Sequence, residues 1–289
     1  MKKNFSKAIV LAISFFCASS SLSAQDAVTP YLTTDELPNL IKCLPPPPAF
    51  NSPEFVNDVV RYQWGKTQRL NPERAAIAQR DAIWSFENLF AEFNIPFGLT
   101  ISREDTPEIW KLLETSLTTT DQMRVEPKAF YKRLRPFEMY DEHLLSPDTE
   151  SDVRGEGSYP SGHTSRGWTT ALLLAEINPA NADTIFARGW MYGESRVIEG
   201  AHWQSDVDAS RVGASIGYAA LHTSPAFLEQ LAKAQQEFLE KTGQVSAIRP
   251  VPAAPAASGN NRVYRIDGTP AGENAHGLVI MNNKKVVVK

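Results

Sequence analysis

Apolar residues recur at three- and four-residue spacing through the middle of this chain, and polar capping residues stand directly before prolines where several of these runs begin. Ser52-Pro53, Asn71-Pro72, Thr106-Pro107 and Ser224-Pro225 each join a capping side chain to a residue whose fixed φ suits a first helical turn. Phe55, Val59 and Tyr62 share one face, as do Ile109, Leu112, Leu113 and Leu117, and so do Phe227, Leu228 and Leu231. Further helices are predicted from about His163 to Ile177, stopped by Asn178-Pro179, from Ala182 to about Glu199, before Gly200, and from near Trp203 to Leu221. Between Gln25 and Gly243 no sustained two-residue alternation marks a half-buried strand, so the main fold is expected to be all-α.

The two ends read differently. Lys2, Lys3 and Lys7 precede an apolar run from Ala8 to Ala18 and small residues ending at Ala24, the layout of a secretory signal peptide cleaved before Gln25. That run is shorter than the ~20 residues needed to span a bilayer, and no other segment is long and apolar enough. A periplasmic or secreted protein is therefore expected. Residues 25–48 form a proline-rich arm, expected to be extended, that closes on four consecutive prolines, Pro45 to Pro48. After a helical domain at 49–243, residues 244–261 have the composition of a linker. Residues 262–289 have a β character, with Leu278 to Met281 and Val286 to Val288 placed to make a hairpin.

Charge and cysteine content narrow the partners. Loss of three lysines with residues 1–24 takes the formal charge from −4 to −7, which argues against a nucleic-acid partner. Cys17 leaves with the signal and Cys43 stands alone, so the mature chain has no intramolecular disulfide to make.

Three strings carry chemistry. In Ser195-Arg196-x5-His202-x3-Asp206, a carboxylate four residues from an imidazole can hold one ring nitrogen protonated and leave the other as a base or nucleophile. Helical spacing places His202 and Asp206 on one face, and Gly200 is the expected break that brings Arg196 to the same pocket. In Lys128-x6-Arg135-Pro136, two cations seven residues apart are nearly aligned over two helical turns and suit an oxyanion clamp, although Lys132 and Arg133 lie nearby and composition does not choose among the four. In Pro160-Ser161-Gly162-His163, a turn feeds a helix whose first amide and serine hydroxyl offer an anion site, with His163 placed to give a proton to a leaving oxygen. Taken singly, each string has an ordinary structural explanation, as a helix-surface ion pair, a solvated basic face or a helix cap.

Their order and spacing resemble the signature of the phosphatidic acid phosphatase type 2 superfamily. Gly157-Ser158-Tyr159-Pro160-Ser161-Gly162-His163-Thr164 is similar to the diagnostic string of the class A bacterial non-specific acid phosphatases, and His202-Trp203-Gln204-Ser205-Asp206-Val207-Asp208-Ala209 fits the same family. The resemblance covers about residues 30–241 and departs at Arg166, where an apolar residue is expected, and at Ala201, where an aromatic is usual. It implies a compact helical bundle and hydrolysis of small phosphate monoesters without a metal or other cofactor. It also implies a homo-oligomer. On that reading His202 is the nucleophile, Asp206 orients it, His163 is the general acid, and Lys128, Arg135, Ser161, Gly162 and Arg196 hold the phosphate. Lys132, Arg133 and Asp208 are left as scaffold. A vanadium-dependent haloperoxidase, which resembles the same superfamily, and a non-catalytic phosphate-binding surface protein are the alternatives.

Overall fold

A computed structural model describes residues 28–244, 263–265, 271, 277–281 and 284–288. The expected signal peptide and nearly all of the expected linker lie outside the described residues. The chain divides into two compact units, residues 1–238 and 239–289.

The first unit is helical, with α1 (Leu40–Cys43), α2 (Pro53–Gln68), α3 (Pro72–Ala82), α4 (Phe86–Ala91), α5 (Asn94–Phe97), α6 (Pro107–Asp121), α7 (Val125–Tyr131), α8 (Pro136–Met139), α9 (Gly162–Ile177), α10 (Ala182–Glu199) and α11 (Gln204–Leu221). α12 (Pro225–Thr242) follows, and no strand occurs among the described residues before 263. The four Xaa-Pro starts are found, but their chemistry differs from the simple capping expectation. Only Asn71 is seen to cap with its side chain, accepting from the amides of Glu73 and Arg74; Ser52 and Thr106 make no such bond, and the Ser224 hydroxyl donates to the carbonyl of Tyr31. At Ser52 and Thr106 proline's fixed φ starts the helix without help from the preceding side chain.

α9 is the central element, packed against α6, α10 and α11. It is enclosed on most sides, and none of its residues is exposed. The largest core joins Phe90, Phe93, Phe97, Ile109, Leu112, Leu113, Leu117, Leu173, Leu174, Ile185, Tyr192, Phe227 and Phe238. Leu228, expected on the apolar face of α12, is instead 45% exposed. α9 and α10 approach closely because glycines face each neighbour: a Cβ at Gly189 would lie 2.6 Å from the Ala171 methyl.

The arm is less extended than its prolines suggest. It carries a 3₁₀ turn at Thr34–Glu36 and the single turn α1, because Asn39 accepts from the Ile41 amide and starts a helix before the proline run begins. Leu32, Leu37, Leu40 and Leu44 pack with Met123, Tyr159 and Ala209, and the Tyr159 hydroxyl donates to the Pro45 carbonyl at 2.6 Å. The second unit contains a three-stranded antiparallel sheet in the order β1 (Val263–Arg265), β2 (Gly277–Met281), β3 (Lys284–Val288). The expected hairpin is β2 with β3, paired Val279 to Val286, and β1 adds to it with Tyr264 opposite Ile280.

Candidate active site

Chain breaks, not continuous helices, bring the three strings together. α10 ends at Gly200, whose φ of +87° lies in the left-handed region that costs a Cβ, and whose amide bonds the Arg196 and Val197 carbonyls. The turn leaves Arg196 on the last turn of α10 and places His202 in the link before α11. His202 therefore does not share a helical face with Asp206, as its spacing suggested. Asp206 sits in the first turn of α11, where its carboxylate accepts from the Trp203 amide at 2.8 Å. Nδ1 of His202 lies 3.4 Å from Oδ2 of Asp206 and 3.3 Å from Oγ of Ser158, and that hydroxyl donates to the same carboxylate oxygen.

The Lys128 and Arg135 pair departs from expectation in the same way. α7 stops at Tyr131, and Lys132 takes a left-handed conformation with φ 44°, so no helix aligns the two cations. Arg135 precedes Pro136 at the start of α8, and proline excludes it from the helical region. The reversal sends Lys128 and Arg135 to one cavity. Arg135 donates to the carbonyls of Glu156, at 3.2 Å, and Ala201, at 2.9 Å, while Lys128 donates to the carbonyl of Gly157. Nη1 of Arg135 also lies 3.0 Å from Nε2 of His202. A guanidinium can only donate, so Nε2 offers its lone pair and the neutral ring carries its proton on Nδ1.

Ser161 caps α9. Its Oγ accepts from the amide and hydroxyl of Thr164, and its own amide donates to Ser210 Oγ at 2.6 Å. His163 follows in the first turn, its Nε2 3.2 Å from the Ala82 carbonyl and its ring edge-to-face with Trp84. A cavity of about 560 Å³ is lined by Lys128, Arg135, Gly162, His163, Arg196 and His202. Asp206 and Ser161 do not line it; the first supports His202 and the second the start of α9.

Residues 110–229 match the PAP2 superfamily. The chain is 42% identical over 209 residues to a non-specific acid phosphatase of Providencia stuartii, which covers 72% of this chain and 84% of that protein. It is 39% identical over 225 residues to a non-specific acid phosphatase of Salmonella typhimurium, covering 78% and 90% of the two chains. An acid phosphatase of Zymomonas mobilis is 34% identical over 198 residues, covering 68% and 74%. The chain belongs to the non-specific acid phosphatases of the PAP2 superfamily.

The charges in this phosphatase's cavity are poorly compensated by protein. Arg196 is 1% exposed, yet among the described residues its Nε and Nη1 have no partner. A buried guanidinium left in that state is costly unless a ligand anion completes it. Burial first, and the neighbouring Arg135 and Arg124 second, push the Lys128 ammonium down to about 7. Burial and Arg196 lower Arg135 to about 10. His202 is held well below the usual imidazole range by burial and then by Arg135, Lys128 and Arg196; His163 is lowered by burial and then by Arg196, Arg166 and His202. Each of these shifts has the same two causes, loss of water around a charged group and repulsion by neighbouring cations, and both favour the form with less positive charge.

Several residues of the site were not singled out from sequence. Ser158 stands inside the quoted family string but was given no role. Arg133, one of the four unranked cations, turns away from the cavity and binds Asp206 and Asp58. Asp58 had a usable signal: it interrupts the apolar face of Phe55, Val59 and Tyr62, where an unpaired carboxylate does not belong. Arg124 and Arg166 both line the cavity, and each makes two bonds to the single carboxylate of Asp121. Arg166, the departure noted in sequence, also lies 3.6 Å above the Trp84 ring. Ala201, the other departure, is fully buried beside Phe137 and Leu144. Lys132 is exposed, and Asp208 pairs with Arg211 outside the cavity.

Proposed function

We propose that this phosphatase hydrolyses small phosphate monoesters in two steps through a phosphohistidine on His202. The observation that carries the reading is His202, its Nε2 3.0 Å from Arg135, lining one cavity with Lys128, Arg135 and Arg196, whose buried Nε and Nη1 have no partner among the described residues. A phosphate bound among these cations has its phosphorus in reach of the Nε2 lone pair. Nε2 forms a bond to phosphorus as the bond to the ester oxygen breaks, and His163 gives that oxygen a proton. The ring then carries positive charge, which Asp206 offsets through Nδ1. In the second step neutral His163 takes a proton from water, whose oxygen attacks phosphorus and releases His202. Lys128, Arg135 and Arg196, with the Gly162 amide at the start of α9 that Ser161 caps, stabilise the equatorial oxygens, the task metal ions perform in other phosphoryl-transfer sites.

The leader read in residues 1–24 supports export to the periplasm or medium, and N-terminal sequencing of the mature protein tests it. The decisive test of the chemistry is a denaturing alkaline quench during turnover of a labelled monoester, with and without chelator. Wild type should yield an acid-labile, base-stable phosphoenzyme and keep its activity in chelator, and His202→Ala should give neither phosphoenzyme nor turnover. Wild-type turnover by His202→Ala would remove the nucleophile, and loss of activity with chelator would remove the metal-free step.

A further inference from the structure

The geometry points to Asp58 and Arg133 as positioning residues that hold Asp206 toward the nucleophile, an inference that rests on the reading of His202 above. Arg133 is 5% exposed, and its guanidinium bridges two buried carboxylates. Nη1 donates to Oδ1 of Asp206 at 2.6 Å and to Oγ of Ser205 at 2.7 Å, and Nη2 donates to Oδ2 of Asp58 at 2.8 Å. Asp58 also accepts from the amide and hydroxyl of Ser205, at 2.8 and 2.6 Å, so it is fastened to the first turn of α11 as well as to Arg133. The guanidinium lies about 6 Å from the rings of Phe50, Phe55 and Trp203. Little water reaches this cluster, and its charges act on one another at low dielectric.

The arrangement does two things to Asp206. It locks the carboxylate plane, because Oδ1 is taken by Arg133 while Oδ2 is taken by Ser158 and the Trp203 amide, leaving Oδ2 as the atom nearest Nδ1 of His202. It also sets the charge that the imidazole feels. An arginine bound to Asp206 alone would cancel the carboxylate, whereas one arginine between two carboxylates leaves the cluster one unit negative. That surplus matters because the other charged or titratable neighbours of His202 are mostly cationic: Lys128 from α7, Arg135 before α8, Arg196 from α10 and the ring of His163 from α9, with Glu156 more distant near Lys128 and Arg135. Asp58 on α2 thus restores to Asp206 the negative charge that Arg133 takes from it. No motif of the chain contains Asp58.

The test uses Asp58→Asn, which keeps the shape and an acceptor for Arg133, together with Arg133→Lys, Arg133→Met and the double variant Asp58→Asn/Arg133→Met. Steady-state kinetics, thermal unfolding and ¹⁵N-histidine spectra of the full chain are read together. Asp58→Asn should lower kcat about 10- to 100-fold with KM within about threefold, as loss of an outer partner of a reacting group does. Its His202 signal should change from a single Nδ1–H tautomer to a mixture. Arg133→Met leaves two carboxylates uncompensated, so His202 should titrate at higher pH than in wild type, and the double variant should cancel that rise. Arg133→Lys should recover part of the kcat lost in Arg133→Met. If Arg133→Met does not fold, Asp58→Asn alone decides. A single wild-type tautomer in Asp58→Asn, with kcat falling only as far as folded protein is lost, would overturn the inference. His202→Ala run in parallel separates the two claims: its turnover judges the nucleophile, whereas the tautomer in Asp58→Asn judges the positioning chain.

Discussion

Nη1 of Arg135 lies 3.0 Å from Nε2 of His202 and 2.9 Å from the carbonyl of Ala201, so one guanidinium nitrogen holds both the proposed nucleophile and the turn that carries it. In the free enzyme this contact occupies the lone pair that must attack phosphorus. A bound phosphate offers Arg135 a stronger, charged acceptor and frees Nε2 at the same moment.

Arg135→Ala should therefore lower kcat about 10²- to 10³-fold, the cost of removing one oxyanion donor from a preorganised site. Arg135→Lys should recover little of it, because an ammonium keeps the charge but loses the fork that spans Glu156, Ala201 and the ring. Single-turnover kinetics with nitrophenyl phosphate would check both variants, and an Arg135→Lys enzyme within about threefold of wild type would show that charge alone suffices.

Lys128 gives the site a pH dependence of its own. With its ammonium pushed down to about 7, it is charged below that pH and neutral above it. Sulfate, whose charge is constant from pH 6 to 8, should inhibit more tightly as the pH falls through about 7, and Lys128→Met should flatten that slope. The stability effect has the opposite sense. The folded pKa lies below the unfolded value near 10.4, so between the two the unfolded chain keeps a proton that the folded protein has lost. Folded stability from this residue then falls as pH drops toward about 7 and stays at its lower level beneath it. Lys128→Met should raise the Tm of the ligand-free enzyme at pH 6, by about 2–4 °C for each kcal/mol relieved, and do little near pH 10.5. A lower Tm at pH 6 would contradict the assignment.

The helices were legible because their signals are local. Proline at the first turn, apolar spacing and Gly200 each act within a few residues, and the ends of α9, α10 and α11 fall within a residue or two of expectation. The convergence of Lys128, Arg135, Arg196, His163 and His202 was legible through motif order. Its geometry was not, since helical periodicity aligned Lys128 with Arg135 and His202 with Asp206, whereas Lys132 and Gly200 end the helices between or before them. The supporting residues were harder still. Asp58 and Arg133 are 75 positions apart, and Asp121 and Arg166 are 45 apart, so even where Asp58 stands out on an apolar face no local pattern names its partner, and the fold alone pairs them.

Arg166 stands where the family resemblance leads one to expect an apolar residue, and its charge reaches His163. It is among the groups that lower the His163 imidazole, after burial and Arg196. Removing it should raise that pKa, so the proposed acid would stay protonated to higher pH. Arg166→Leu should shift the basic limb of the kcat profile upward, and it should also loosen Trp84, whose ring the guanidinium covers at 3.6 Å. The pH profiles of the two enzymes check this, and a basic limb that stays in place or moves down would separate Arg166 from the proton transfer.

His163 can be tested through the leaving group. Its Nε2 lies 3.2 Å from the Ala82 carbonyl, a donor's contact, which leaves Nδ1 as the nitrogen to be protonated for the acid step. Burial first, and then the cations around it, lower the pKa of the free ring, so the negative charge of the bound substrate must supply the opposing shift that lets it take a proton. An alkyl phosphate needs that proton because an alkoxide is a poor leaving group, whereas nitrophenolate departs without it. His163→Asn should therefore lower the phosphorylation rate about 10²- to 10⁴-fold for an alkyl monoester, and much less for nitrophenyl phosphate. A series of monoesters of graded alcohol pKa measures this as a steeper dependence of rate on leaving-group pKa. Equal losses across the series would mean that His163 binds phosphate without protonating the departing oxygen, and the acid would then have to be sought among the other groups lining the cavity.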